Sequence, residues 1–157
     1  MNSFRRFFRV EWAVIVFCAW AARELVNAWR HSPFDRLGWL AFAIWLVPVV
    51  VHESRRNVLK DGIACSCTGL VMATLGLMAQ LNAATYLGLA VAVAGLLPWN
   101  RWTVSWLVFS LAWMPLTGWL CANFGGSVTV ALRLAGAALA VVMGMSAVRR
   151  KNEGTAA

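Results

Sequence analysis

Charge is scarce in this chain. Asp, Glu, Lys and Arg make up 13% of its 157 residues, and Asp and Glu together number only 6. Soluble domains carry about 25% charged residues and are at most about half apolar. A chain that is 61% hydrophobic cannot be wrapped into a small globule without leaving apolar surface in water. A soluble single domain is therefore excluded, and the same apolar content excludes a disordered chain. With 12 Gly there is no collagen-like repeat, and with 4 Cys no disulfide-stapled secreted module. The 2 histidines, His31 and His52, form no zinc-protease pair. No P-loop, dinucleotide glycine motif or Ser-His-Asp set is present either. Neither a metal site nor a cofactor is expected.

What the chain does hold is a succession of apolar runs. About 20 helical residues cross a hydrocarbon core of roughly 30 Å, and six runs approach this length: residues 10–29, 37–51, 63–82, 83–98, 103–121 and 127–148. The expected fold is all-α, a single integral membrane domain of about six transmembrane helices. Short cytoplasmic loops accumulate Lys and Arg. With the N-terminus inside, the cytoplasmic set is Arg5, Arg6, Arg9, Arg55, Arg56, Lys60, Arg101, Arg149, Arg150 and Lys151; the first outer loop keeps Arg30 and Arg36. The expectation is N-in and C-in, in a bacterial inner membrane. The net charge of +8 then reads as a topology signal with some attraction to anionic lipid, and a nucleic-acid partner is not expected. Trp12, Trp29, Trp39, Trp99, Trp102 and Trp119 lie at expected span ends, where an amphipathic ring suits the headgroups. Phe4, Phe7 and Phe8 among arginines suit an interfacial turn. A competing reading makes the basic start, the run from Trp12 to Trp20 and the following small residues a cleaved signal peptide, leaving five spans.

Helices in lipid pack through small residues spaced four apart. Three such stripes occur: Cys65-Gly69-Ala73, Ala84-Gly88-Ala92 and Gly136-Ala140-Gly144, which would bring the third, fourth and sixth spans together. Pro48 and Pro115 should kink or loosen the second and fifth spans. An ionisable group at a helix centre costs roughly 2.5–3.5 kcal/mol on insertion scales, so each calls for a partner. The intramembrane polar residues are Arg23, Glu24 and Arg133. Glu24 and Arg133 fall at similar depth and suit an ion pair, with snorkelling of both to the interface as the alternative. Glu11 beside Arg9 reads as a local surface pair, and both histidines as solvated. In the string "IACSCTGL", residues 63–70, Cys65 and Cys67 point about 200° apart on a helix, which argues against a shared metal. Trp102, Trp106 and Trp113 share one broad face that lipid or a partner subunit would cover.

Residues 68–116, "TGLVMATLGLMAQLNAATYLGLAVAVAGLLPWNRWTVSWLVFSLAWMP", resemble the membrane core of the exosortase/archaeosortase family. The similarity lies in two Gly- and Ala-rich helices, a short basic turn carrying Arg101, and an aromatic helix reaching a Pro after Met114. The resemblance implies a scaffold related to a membrane cysteine transpeptidase, with a Cys-Arg-His set that cleaves sorting tails on the outer side. The weak catalytic candidates are Cys65, Cys67 and Arg133. "ACSCTG", residues 64–69, echoes the family's Cys motif but precedes the resembling core, and no His follows His52. A thiol needs a base or a cation to form thiolate. The resemblance therefore implies a shortened, non-catalytic relative that helps sort envelope proteins. Two other readings stay open: a small transporter or channel using Arg23, Glu24 and Arg133, and a structural subunit of a larger complex of membrane proteins.

Overall fold

The computed structural model describes residues 10–32, 35, 37–53, 61–121 and 124–154. Among these it is all-α: α1 Val10–Ala21, α2 Glu24–His31, α3 Gly38–Glu53, α4 Asp61–Met78, α5 Asn82–Ala94, α6 Arg101–Val108, a 3-10 turn Phe109–Ala112, α7 Pro115–Cys121 and α8 Gly126–Gly154. The interfacial turn at Phe4–Phe8 and most of the basic residues used to orient the chain lie outside the described residues. By length and composition one described helix, Gly126–Arg149, can cross a membrane, or two if the bent pair α6 and α7 counts as a single span.

The elements form six columns, α1–α2, α3, α4, α5, α6–α7 and α8, which alternate in direction. Glu24, Asn82 and Pro115 meet at one end of the bundle. Cys65, Val91 and Trp99 meet at the other. The first column runs toward the Glu24 end and α8 runs away from it. With an even number of columns, Val10 and Gly154 lie at the same end.

Two expected spans are broken. The first stops at Ala21 and restarts at Glu24, giving an apolar α1 and an amphipathic α2. The fifth bends by 64° between the 3-10 turn and α7. Proline lacks the N–H that would continue the ladder and is well placed as the first residue of a new helix, and α7 begins at Pro115. Pro48, by contrast, sits inside an uninterrupted α3. The boundary between α4 and α5 falls a few residues before the expected one, in a Schellman-type turn: Leu81 N–H donates to Gly76 O at 2.8 Å while Gln80 takes a left-handed φ of 55°.

Small residues set the helix spacing. A Cβ on Gly88 would lie 2.7 Å from Ala73 N and 2.8 Å from Gly69 O, and one on Gly69 would lie 2.6 Å from Gly88 O. Backbone thus packs directly on backbone between α4 and α5, as their stripes suggest. The α8 stripe does not join them. Gly144 faces Pro48 and Trp106, and Gly136 faces Ala112, so α8 packs on α3 and α6.

Of the expected outward tryptophan face, Trp106 and Trp113 point inward instead, while Trp102 is half-buried. Trp45, Trp106 and Trp113 are fully buried. Trp45 stacks on Trp106 with ring centroids 3.9 Å apart and planes 13° from parallel. Each indole donates to the other residue's carbonyl, both at 3.1 Å. A buried indole N–H needs an acceptor. This reciprocal arrangement satisfies both donors within the core and locks α3 to α6. Phe42 and Trp113 close the cluster edge-on at 5.0 Å.

Candidate functional site: the broken fifth column

A break in a buried helix frees carbonyls that must find donors, most urgently where water is absent. At the Trp113–Met114 bend three side chains supply them. Leu111 O, which Pro115 cannot serve, accepts from the Thr117 hydroxyl. Trp113 O accepts from Trp29 Nε1 of α2 at 3.1 Å. Met114 O accepts from Arg133 Nη2 of α8 at 3.1 Å. The bend is thereby tied to α2 and α8 at once.

Arg133 is completely buried, seven residues into α8. Its counter-charge is Asp35, whose carboxylate accepts from Nη2 and is itself only 8% exposed. The expected partner Glu24 is not involved. Beyond the break at Ala22–Arg23, Glu24 instead accepts from Asn27 Nδ2 at 3.0 Å and faces Arg23 Nε at 3.8 Å, with both charged side chains about half exposed or more. Arg23 also lies 5.1 Å from the centroid of the Trp20 ring. Arg133 neither snorkels nor pairs with α2; it reaches across to the segment before α3.

That segment is shaped to receive it. Leu37 holds a left-handed φ of 63°, a costly conformation for a bulky residue. Directly after it, a Cβ on Gly38 would lie 2.8 Å from Arg133 Nη1 and closer still to the Trp29 indole. Only glycine lets both side chains pass over the start of α3. Arg133 Nε and Nη1 have no hydrogen-bond partner among the described residues.

Next to the bend a half-open cleft of about 450 Å³ lies between α2, α5 and α7, lined by Glu24, Asn27, Asn82, Tyr86, Met114 and Pro115 among others. This is within the range of about 300–1,000 Å³ typical of small-molecule sites. Met114 belongs to both features: its carbonyl takes the Arg133 hydrogen bond and the residue forms part of the cleft wall.

The thiols lie elsewhere. Cys65 is half-buried and lines a separate cavity of about 470 Å³ with Trp99, at the end of the bundle opposite Arg133. Cys67 is exposed, in keeping with its opposed direction on α4. Cys18 is fully buried, and all four cysteines are free. Cys65, Cys67 and Arg133 are thus not brought together. Among the described residues no group of three or more His, Cys, Asp or Glu is placed to hold a metal. Two further expectations change: Glu11 and His52, read as surface groups, are buried at 6% and 7% exposure. Each sits in the turn of its helix nearest the Cys65 end, and each is engaged by a neighbour. His31 stays exposed, with Nδ1 3.0 Å from Asn27 O. Arg101 is exposed with its guanidinium 5.3 Å from the Trp102 ring centroid.

Asp35, Trp29, Gly38 and the Met114 carbonyl were not evident in the sequence. One signal did exist: under the six-span expectation the acids available at the Arg133 end are Glu24 and Asp35 alone, so an arginine that must be neutralised had two choices. Comparison with protein-family models, with curated proteins and with solved structures finds no match to this chain.

Proposed function

We propose that this chain is a six-span inner-membrane protein, N-in and C-in, that binds at its outer end and performs no thiol chemistry, acting as a non-catalytic helper in envelope-protein sorting. The observation supporting membrane embedding is apolar exposure on every column. Val16, Val50, Leu75, Leu87, Val108 and Val142 all face outward, with exposures from 37% to 69%. A soluble protein does not carry such a girdle. Only 28% of the apolar window of α8 is buried, whereas the core helix of a soluble protein is mostly buried. Columns shorter than a full span, such as the 16-residue α3 at about 24 Å, are accommodated by bilayer thinning and by interfacial tryptophans.

The sorting role rests on the resemblance over residues 68–116. That stretch supplies Asn82, Tyr86, Met114 and Pro115, which line the cleft. The absence of catalysis rests on the separation of Cys65 and Cys67 from Arg133. Deletion of the gene, followed by mass spectrometry of envelope-protein C-terminal peptides, tests this. Sorting tails should persist in the deletion strain, and Cys65→Ala and Cys67→Ala proteins should each restore their removal. Unchanged processing after deletion overturns the sorting role, and failure of either Cys variant, while present in the membrane, overturns the non-catalytic reading.

One observation favours a second reading. Discontinuous helices that line a cavity are a recurrent feature of secondary transporters, and here the broken fifth column borders the cleft. A transporter would give measurable flux in proteoliposomes; zero flux for small anions and cations removes this reading.

A further inference from the structure

The cleft beside the bend is lined by polar and apolar side chains together. Glu24 and Asn27, from the first turn of α2, and Asn82, the first residue of α5, form one end. Leu87 lies five residues further along α5, about 7.5 Å deeper, next to Tyr86, and Leu111 and Leu116, on either side of the bend, add to the apolar lining. Glu24 is the sole charged residue among those lining the cleft, and its carboxylate is about half exposed. Arg23 stands beside it, 3.8 Å away and outside the lining, with a side chain that is 64% exposed. A largely apolar slot carrying a carboxylate and two amide side chains, with a guanidinium 3.8 Å from that carboxylate, matches an amphiphile that carries a primary ammonium next to an anionic group.

Resting on the membrane reading above, we infer that the cleft binds one phospholipid of the phosphatidylethanolamine class from the surrounding bilayer. One acyl chain lies against Leu87, Leu111 and Leu116. The ammonium donates to Glu24 and to the Asn27 and Asn82 amide oxygens, and the phosphate faces Arg23. A primary ammonium has N–H groups to donate, and hydrogen bonds to an ionised acceptor are the strong ones. The quaternary ammonium of phosphatidylcholine has none, and phosphatidylglycerol brings only negative charge to Glu24. The site therefore discriminates by headgroup as well as by chain.

Native mass spectrometry of the full chain released from nanodiscs tests this, with discs of equal parts phosphatidylethanolamine, phosphatidylcholine and phosphatidylglycerol. One phosphatidylethanolamine should be retained per chain in preference to the other two. Glu24→Gln should lower the preference over phosphatidylcholine about tenfold, equivalent to about 1.4 kcal/mol. Leu87→Trp, which fills the slot, should abolish retention of all three. Equal retention of the three lipids, no retained lipid, or an unchanged preference in Glu24→Gln overturns the inference. Resistance of the chain to alkaline extraction from membranes is measured alongside; loss of that resistance counts against the membrane reading itself, so the two fail separately.

Discussion

Replacing Arg133 with Met is the most informative single perturbation, because it keeps an unbranched apolar stem and removes the guanidinium with its charge and donors. Two groups are left behind. Asp35, 8% exposed, loses its counter-charge, and Met114 O loses its side-chain donor at the bend. Breaking a buried ion pair from one side costs about 3–5 kcal/mol, while Met114 O keeps its bond from Thr117 N–H at 3.2 Å and loses only a second one, worth about 1 kcal/mol. The two overlap, since both arise from one guanidinium, so the expected loss is about 3–5 kcal/mol. The double variant Asp35→Leu with Arg133→Met removes the stranded charge and leaves only the lost second bond at Met114 O, so it should recover most of the loss and remain about 1 kcal/mol below the parent. Glu24→Gln should change stability by less than about 1 kcal/mol, because its pair with Arg23 is exposed. Unfolding of the purified protein in mixed micelles, followed by tryptophan fluorescence, measures all three variants; buried Trp113 and Trp45 lie close to the bend and report its loss. Equal stability of Arg133→Met and the parent, or a double variant no better than the single, refutes the assignment of Asp35 as the partner.

The glycine contacts predict a graded series. Gly88→Ala should push α4 and α5 apart and destabilise strongly, Gly136→Ala, whose added carbon would meet only the Ala112 methyl at 3.0 Å, should be mild, and Gly126→Ala, which faces open space, should be silent; the same unfolding assay ranks them. Gly38→Ala should displace the Trp29 indole; the Trp29 emission, taken as the spectrum of the protein minus that of its Trp29→Phe variant, should shift to the red when both carry Gly38→Ala. Trp45→Phe strands Trp106 O and breaks the stack, a loss of about 1–3 kcal/mol, and the same substitution at exposed Trp39 should have no comparable effect.

Element existence was legible because apolar runs bounded by charges, Pro, Asn or Gly mark each column, and the Pro115 break followed from the missing N–H. The Ala22–Arg23 break carries no proline or glycine, so nothing local announced it. The inward direction of Trp106 and Trp113 was hidden for a related reason. A tryptophan on a membrane helix suits lipid, interface or core equally, and only the facing Trp45 and its carbonyl decide among them. The α4–α5 contact was readable from small residues at spacing four, yet the same spacing on α8 met a proline and an indole on α3 and α6, because a stripe states how close a neighbour comes and never which neighbour it is. Asp35 was passed over because it lies in a connecting segment. Depth counted along the chain placed Glu24 opposite Arg133, but Glu24 is held by its own neighbours Arg23 and Asn27, and Asp35 takes the guanidinium.

The central claim is that six columns cross the membrane with the Arg133–Asp35 end outside. Reporter fusions measure this directly, with alkaline phosphatase joined after Gln80 in the α4–α5 turn, after Trp99 before α6, and after Gly154. The account predicts high activity only for the Gln80 fusion, as expected if the α4–α5 turn faces the oxidising side and both later junctions face the cytoplasm. Activity at Trp99 or Gly154, or none at Gln80, would contradict it.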